Sequence, residues 1–243
     1  MASSTDHWGK RKQEAAERQS LKGRVHQILS HAQYNPDVLP DLEDYVQEQI
    51  VSETYDLNAN LCLLRLYQFN PASVNIHAVA RILVKGLMAL PALDFQLYMS
   101  LIPERLHVEE PFATLLNLDA LLETARFKEF WTEAARNRDI LEVIPGFEAA
   151  MQRYAVHVLA MTYLRVPLPV LAEAINMNGP LLDKYIGQQE RKGWEQLTTP
   201  EGKTVVKFPS SEYNTPSLRK ITSDNLPLEQ ISKLLPVVES TSL

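Results

Sequence analysis

The chain holds one cysteine in 243 residues, and its six histidines form no pair with another histidine or cysteine at a spacing of three or four. A single thiol makes no internal disulfide and no four-ligand zinc site, so nothing calls for an oxidising compartment. Cys62 sits in the apolar run Leu61-Cys62-Leu63-Leu64, which predicts a small buried hydrophobe rather than a nucleophile. The eight glycines are scattered, and none follows a strand in the pattern of a phosphate loop. No apolar run approaches ~18 residues without a charge or a proline, the length a membrane-spanning helix needs. The first residues lack the apolar core of a secretory signal, so the expected location is the cytoplasm, with some nuclear presence, and no membrane partner. A basic surplus is missing too: 24 Lys and Arg against 30 Asp and Glu leave a net charge of -6. That balance excludes a surface given over wholly to nucleic acid and leaves room only for a local patch. A strand signal is absent before Glu195, because apolar residues recur at three and four rather than at two.

What is present is helix after helix. Residues 1–20 read as a mildly basic arm with Lys10, Arg11, Lys12 and Arg18. A first helix turns apolar at Leu21, Val25, Ile28 and Leu29, one face by spacing, and stops at Tyr34-Asn35-Pro36. A second runs from Asp41, the expected N-cap, to about Glu53, with Leu42, Tyr45, Val46, Gln49 and Ile50 on one face. A third, from Tyr55 to Phe69, is apolar nearly all round and ends in Phe69-Asn70-Pro71. The second aromatic-Asn-Pro stop follows the first at the interval that helix-pair repeats produce. The pattern continues with Val74 to Leu90, then Asp94 to Ile102 with Asp94 as a cap. Pro111 opens a helix carrying Leu115, Leu118, Leu122 and Ala125, and a neighbour supplies Phe127, Phe130, Trp131 and Ala134. This places a helical repeat domain at residues 21–145.

Residues 146–208 read as a linking helix and a winged helix. Phe147 to Arg165 has so little polar surface that it is expected to be buried between the repeat and the winged module. His157 within it is expected to be a hydrogen-bonded core residue. Pro167 and Pro169 begin a short helix whose stripe is Val170, Leu171, Ala174 and Ile175. Asn178-Gly179-Pro180 is a turn, and a second helix runs from Leu181 to about Lys192. Gly193 supplies a left-handed cap, and residues 194–208 read as strand, turn and strand. Residues 209–243 read as a linker and tail containing an amphipathic segment from Leu226 to Val238.

No catalytic constellation is found and no cofactor is implied. His107 with Glu109 and Glu110 is the nearest to a carboxylate and imidazole cluster, and its place before Pro111 predicts an exposed turn. The second helix of the winged module offers Lys184, Arg191 and Lys192 against Asp183 and Glu190, too few cations for firm duplex binding, which neutralises about six to ten phosphates. Lys203 and Lys207 leave room for a weak RNA contact, and a nucleic-acid-binding winged-helix protein is the alternative reading. Protein docking is the preferred one, with Lys184, Gln188, Arg191, Leu197, Val205 and Lys207 as candidate contacts. Val205 and Lys207 face outward if Val206 and Phe208 point inward.

Several strings together resemble one family. They are Tyr34-Asn35-Pro36, Leu42-Glu43 with Tyr45-Val46, Tyr55-Asp56-Leu57 with Ala59-Asn60-Leu61, Leu66 to Pro71, Leu121 to Thr124, Phe130-Trp131 and Gly146-Phe147-Glu148. The chain is similar over roughly residues 20–195 to subunit k of eukaryotic translation initiation factor 3. The resemblance implies a mainly α fold, a HEAT-like helical repeat followed by a winged helix with a small β-hairpin wing. This is the PCI-type module of the proteasome lid and the signalosome. It also implies a subunit without enzymatic activity or cofactor, paired with other subunits of the factor and especially subunit l. The implied role is support of messenger RNA recruitment and assembly at the small ribosomal subunit. The basic arm, the Pro-rich stretch from Val166 to Val170, the linker from Pro209 to Lys220 and the tail to Leu243 depart from the family pattern.

Overall fold

Prolines and asparagines set the limits of the first helices in a computed structural model that describes residues 21–200 and 202–215. The basic arm and the segment from Leu226 to Val238 lie outside the described residues. Helix α1 (residues 21–32) ends in a π-helical turn, Ile28–Ala32, and the Asn35 side chain accepts from the Asp37 N–H to open the 3-10 turn Pro36–Val38. Helix α2, Leu39–Val51, follows directly with Val38 at its cap position. Asp41 is therefore not the cap. Asn35 has already turned the chain, and Asp41 in the first helical turn pairs with Arg24 at 3.0 Å instead. Asp56 does cap α3, Leu57–Phe69, by accepting from Ala59 N–H at 3.1 Å, and Asn75 likewise caps α4, Ile76–Met88. The two aromatic-Asn-Pro stops meet in space: the rings of Tyr34 and Phe69 lie edge to face at 6.3 Å, 63% and 66% exposed.

Helix α4 is the centre of the repeat, packed by α2, by α5 (Asp94–Met99), by α7 (Phe112–Glu123) and by α10 (Phe147–Thr162). Its Gly86 allows the closest of these approaches. A Cβ there would stand 3.1 Å from Phe95 Cα and 3.0 Å from the Tyr98 ring. The short α6 (Glu104–His107) precedes α7, and α8 (Phe127–Arg136) and α9 (Arg138–Leu141) come after it. Leu115, Leu118 and Leu122 are buried as expected, as are Phe127, Phe130, Trp131 and Ala134. Ala125 is not on that face: α7 has ended at Glu123, and Ala125 turns the chain with φ of 56°. Asp94 is the first residue of α5 rather than its cap, because its carboxylate accepts from Tyr55 OH.

The otherwise apolar run from Tyr55 to Phe69 contributes Tyr55, Asp56 and Asn60 to a polar network in the repeat. Gln49 donates from Nε2 to Asn60 Oδ1 at 2.9 Å and accepts at Oε1 from Asp56 N–H at 2.8 Å. Asn60 Nδ2 donates to Tyr98 OH at 3.2 Å, and Tyr98 OH lies 2.7 Å from Tyr55 OH, which donates to Asp94 Oδ2. Burial and these bonds push the Tyr55 phenol far above its ordinary range, so it stays a donor. Lys85 reaches from α4 to the end of α2, donating to Gln49 O at 3.0 Å and Thr54 O at 2.6 Å. Burial lowers its ammonium against a smaller opposing pull from Glu53. Each of these buried polar groups thus has a partner on another element, which fixes how α2, α3, α4 and α5 sit together.

A strand stands where none is expected. Helix α10 stops at Thr162 rather than Arg165, Tyr163 is extended, and β1, Arg165–Pro167, pairs antiparallel with β3, Thr204–Lys207. Three residues are too short to print an alternation, and Pro167 hides the pattern further. The winged helix continues through α11 (Leu168–Ile175), α12 (Pro180–Glu190) and β2 (Glu195–Thr198), with sheet order β1-β3-β2. Helix α12 starts at Pro180 and ends two residues before the expected Lys192. Gly193, at φ of 89°, makes the following turn. Three burial expectations fail. Helix α10 is not enclosed on all sides but buries only Phe147, Ala150, Met151, Ala155 and Leu159, and its His157 is exposed. Val170 also faces solvent, because α11 turns Leu171, Ala174 and Ile175 inward.

Candidate interaction surface

The wing is built from the inside out. Trp194 and Phe208 meet edge to face at 4.7 Å, and Tyr185 from α12 stands against Trp194 at 6.2 Å. With Val166 and Val206, these rings fill the inner side of the sheet, and Phe208 N–H donates to Leu164 O at 2.9 Å. Alternation along the strands then fixes what faces out. Register pairs Pro167 and Leu197 with Val205, forming an apolar row across all three strands. The next outward row is Arg165, Lys207 and Glu195, in which Lys207 Nζ meets Glu195 at 2.8 Å. Strand β3 lies in the middle of the sheet, so Val205 and Lys207 have both backbone sides paired and only their side chains to offer. Strand β2 is an edge, and all four of its residues are exposed.

The six residues singled out from the sequence fall into two sets. Leu197, Val205 and Lys207 share the outer face of the sheet. Lys184 and Gln188 lie along the exposed side of α12, whose other side buries Leu182 and Ile186, and Arg191 follows at its C-cap. The sets are carried by different elements, each turned away from the shared ring cluster. Exposed residues Asp183 and Glu190 on α12 dilute the charge of the second set.

Other groups with chemical potential have structural work. Cys62 is buried, its thiol raised by desolvation, and Sγ lies 3.6 Å from Gln33 O. His107 Nε2 lies 3.0 Å from Ile102 O, and Glu110 accepts from Thr114 Oγ1 at 2.7 Å, so the imidazole and carboxylate near Pro111 serve separate turns. Among the described residues no group of three His, Cys, Asp or Glu is placed to hold a metal ion, and no helix is long and apolar enough to cross a membrane.

Three features have no counterpart in the sequence pattern. The repeat and the winged helix are fastened by Trp131 Nε1 donating to Ala174 O at 2.9 Å and by Lys128 meeting Glu173 at 3.2 Å. Beside this joint a cleft of about 600 Å³ opens among α8, α9, α10 and α11, with Trp131, Leu141, Ile144, Phe147 and Met177 in its walls. Residues just beyond the wing have linker-like composition, yet Asn214 is buried, donating from Nδ2 to Ala160 O at 2.9 Å and to Pro209 O at 2.8 Å. Only the pairing of Trp131 with a helix end could have been suspected from sequence, since a buried indole N–H needs an acceptor.

Residues 74–214 match the model of the CSN8/PSMD8/EIF3K family. The chain is 41% identical over 178 residues to the eukaryotic translation initiation factor 3 subunit K of Bos taurus, covering 72% of this chain and 80% of that protein. It has the same identity and coverage with the subunit K of Homo sapiens. With that of Drosophila erecta it is 35% identical over 195 residues, 79% of this chain and 86% of the relative. The strings that fix α2, α3 and α5 lie partly before the matched family region and wholly within the helical repeat.

Proposed function

The chain belongs to the CSN8/PSMD8/EIF3K family, and from that premise we propose that it is a non-catalytic scaffold subunit of translation initiation factor 3. It assembles with other subunits of the factor, subunit l foremost, acts on the small ribosomal subunit through them, and supports messenger RNA recruitment in the cytoplasm. In this reading residues 21–145 form the repeat domain and residues 146–208 the linking helix and winged helix. The arm before and the tail after lie outside the described residues for the most part.

The observation that carries the reading is the wing. It combines an apolar outward row, Pro167, Val205 and Leu197, with an exposed edge strand, β2. An open strand edge offers unpaired N–H and C=O groups to a partner strand, and a half-exposed apolar row beside it gives side-chain contact. Lys184 and Gln188 on α12, with Arg191 at its C-cap, are the second contact set. The alternative of a nucleic-acid reader has less support, because Lys207 is already paired with Glu195 and α12 carries acids among its cations.

Val205→Glu tests the assignment. Tagged full-length chain is expressed in eukaryotic cells, and co-purifying initiation factor subunits are quantified against wild type. The expected result is at least a tenfold drop in recovered subunits, a cost of ~1.4 kcal/mol, with circular dichroism unchanged. Undiminished recovery overturns the role of the wing. Tight, steeply salt-dependent binding of RNA by the isolated chain supports the alternative instead.

A further inference from the structure

Inside the repeat lies a buried acid that no described cation answers. Asp119 on α7 is 6% exposed, and its carboxylate receives one side-chain hydrogen bond donor, Gln96 Nε2 from α5, at 3.2 Å to Oδ2. The same Nε2 donates to Glu123 Oε1 at 2.7 Å, one helical turn further along α7. Two carboxyl groups therefore converge on a single neutral amide. The carbonyl Oε1 of that amide is itself buried without a partner. From α10 the facing titratable group is Tyr154, whose phenol is raised by burial and then by Asp119 and Glu123. Among the described residues no Lys, Arg or His forms an ion pair with Asp119, although α4, α6 and α8 also pack on α7.

Two negative charges around one neutral donor, one of them out of water, are strongly unfavourable. Glu123 is exposed and can keep its charge in solvent, whereas Asp119 cannot. We propose that Asp119 holds a proton in the folded chain near neutral pH, and that losing it leaves an unpaired buried charge that loosens the packing around α7 in the helical repeat. This pH sensitivity is a property of the repeat and does not depend on the docking role of the wing. Desolvation first and Glu123 second push the Asp119 carboxyl up to about 7, with Gln96 opposing. The folded chain then keeps the proton over a range in which the unfolded chain, near the ordinary carboxyl value of 3.8, has released it. Stability from this group is complete below the unfolded value, declines as pH rises above it, and is fully lost beyond about pH 7.

The test is a carbon-13 NMR titration of the Asp119 side-chain carboxyl in the full chain, assigned through its own backbone. A midpoint near 7 is expected, and Glu123→Gln lowers it by removing the neighbouring charge. A wild-type midpoint near 4, or one that Glu123→Gln leaves unmoved, overturns the proposal. Melting temperatures give a second readout: from about pH 5 to about pH 8 the wild type loses more than Asp119→Asn, and equal slopes count against the proposal. If Asp119→Asn does not fold, the titration of the wild type decides alone.

Discussion

The helical repeat and the winged helix keep their polar groups in opposite places. In the repeat, Gln49, Asn60, Lys85 and Asp119 are buried and bound to groups on other helices. In the winged helix the interior is rings and aliphatic chains, Trp194, Phe208, Val166, Val206, Leu171 and Ile175, and the polar row Arg165, Lys207 and Glu195 lies outside. The contrast locates the source of specificity in each half. Directional bonds inside the repeat admit one arrangement of its helices. The wing is held by shape and carries its directional groups, the edge of β2 above all, at the surface.

That contrast is tested most severely in the ring cluster. Phe208→Ala removes a fully buried ring that touches Trp194 and is expected to cost ~3–5 kcal/mol. Urea unfolding followed by tryptophan fluorescence should show the wing lost before the repeat; a single unshifted transition would mean that the wing does not depend on its rings. Next comes the polar interior. Asn60→Ala strands Gln49 Nε2 and is expected to cost ~1–3 kcal/mol by denaturant unfolding. Asn60→Ala at under half a kcal/mol would contradict a directional role for the network. Gly86→Ala tests the same packing through shape, since the new Cβ meets Phe95 backbone at 3.1 Å. A loss of ~1–3 kcal/mol is expected. Smallest is Lys207→Ala, which removes a partly exposed pair with Glu195 and should change stability by ~0–1 kcal/mol. A larger loss would place structural weight on the outer face.

The sequence was most legible where period and punctuation agree. The helices of the repeat obey three-and-four spacing, and Tyr34-Asn35-Pro36 and Phe69-Asn70-Pro71 mark true helix ends that pack on each other. The order of helix, helix and hairpin gave the winged module, and the inward Val206 and Phe208 came from alternation. Strand β1 was not legible, because its identity comes from a partner some forty residues later rather than from its own three residues. Asp41 and Asp94 misled for a related reason. An acid near a helix start suits either the cap or the first turn, and Arg24 and Tyr55, both distant in sequence, decide which. The outward set on the sheet was readable only as far as the strands were. Asp119 gave no signal, since an acid every few residues on a helix normally marks its solvent face.

Strand β1 also has a mechanical effect. The segment leaving α10 is already a rung of the sheet, and Asn214 ties the chain beyond the wing back to Ala160 on the same helix. Trp131 donating to Ala174 O and Lys128 meeting Glu173 tie the repeat to the winged helix. Among the described residues, strand β2 is thus joined to the helical stack through paired strands and packed helices. The route from β2 runs through β3 and β1 into α10 and on to α4, so the angle between sheet and stack is set by paired backbone and packed helices rather than by a linker.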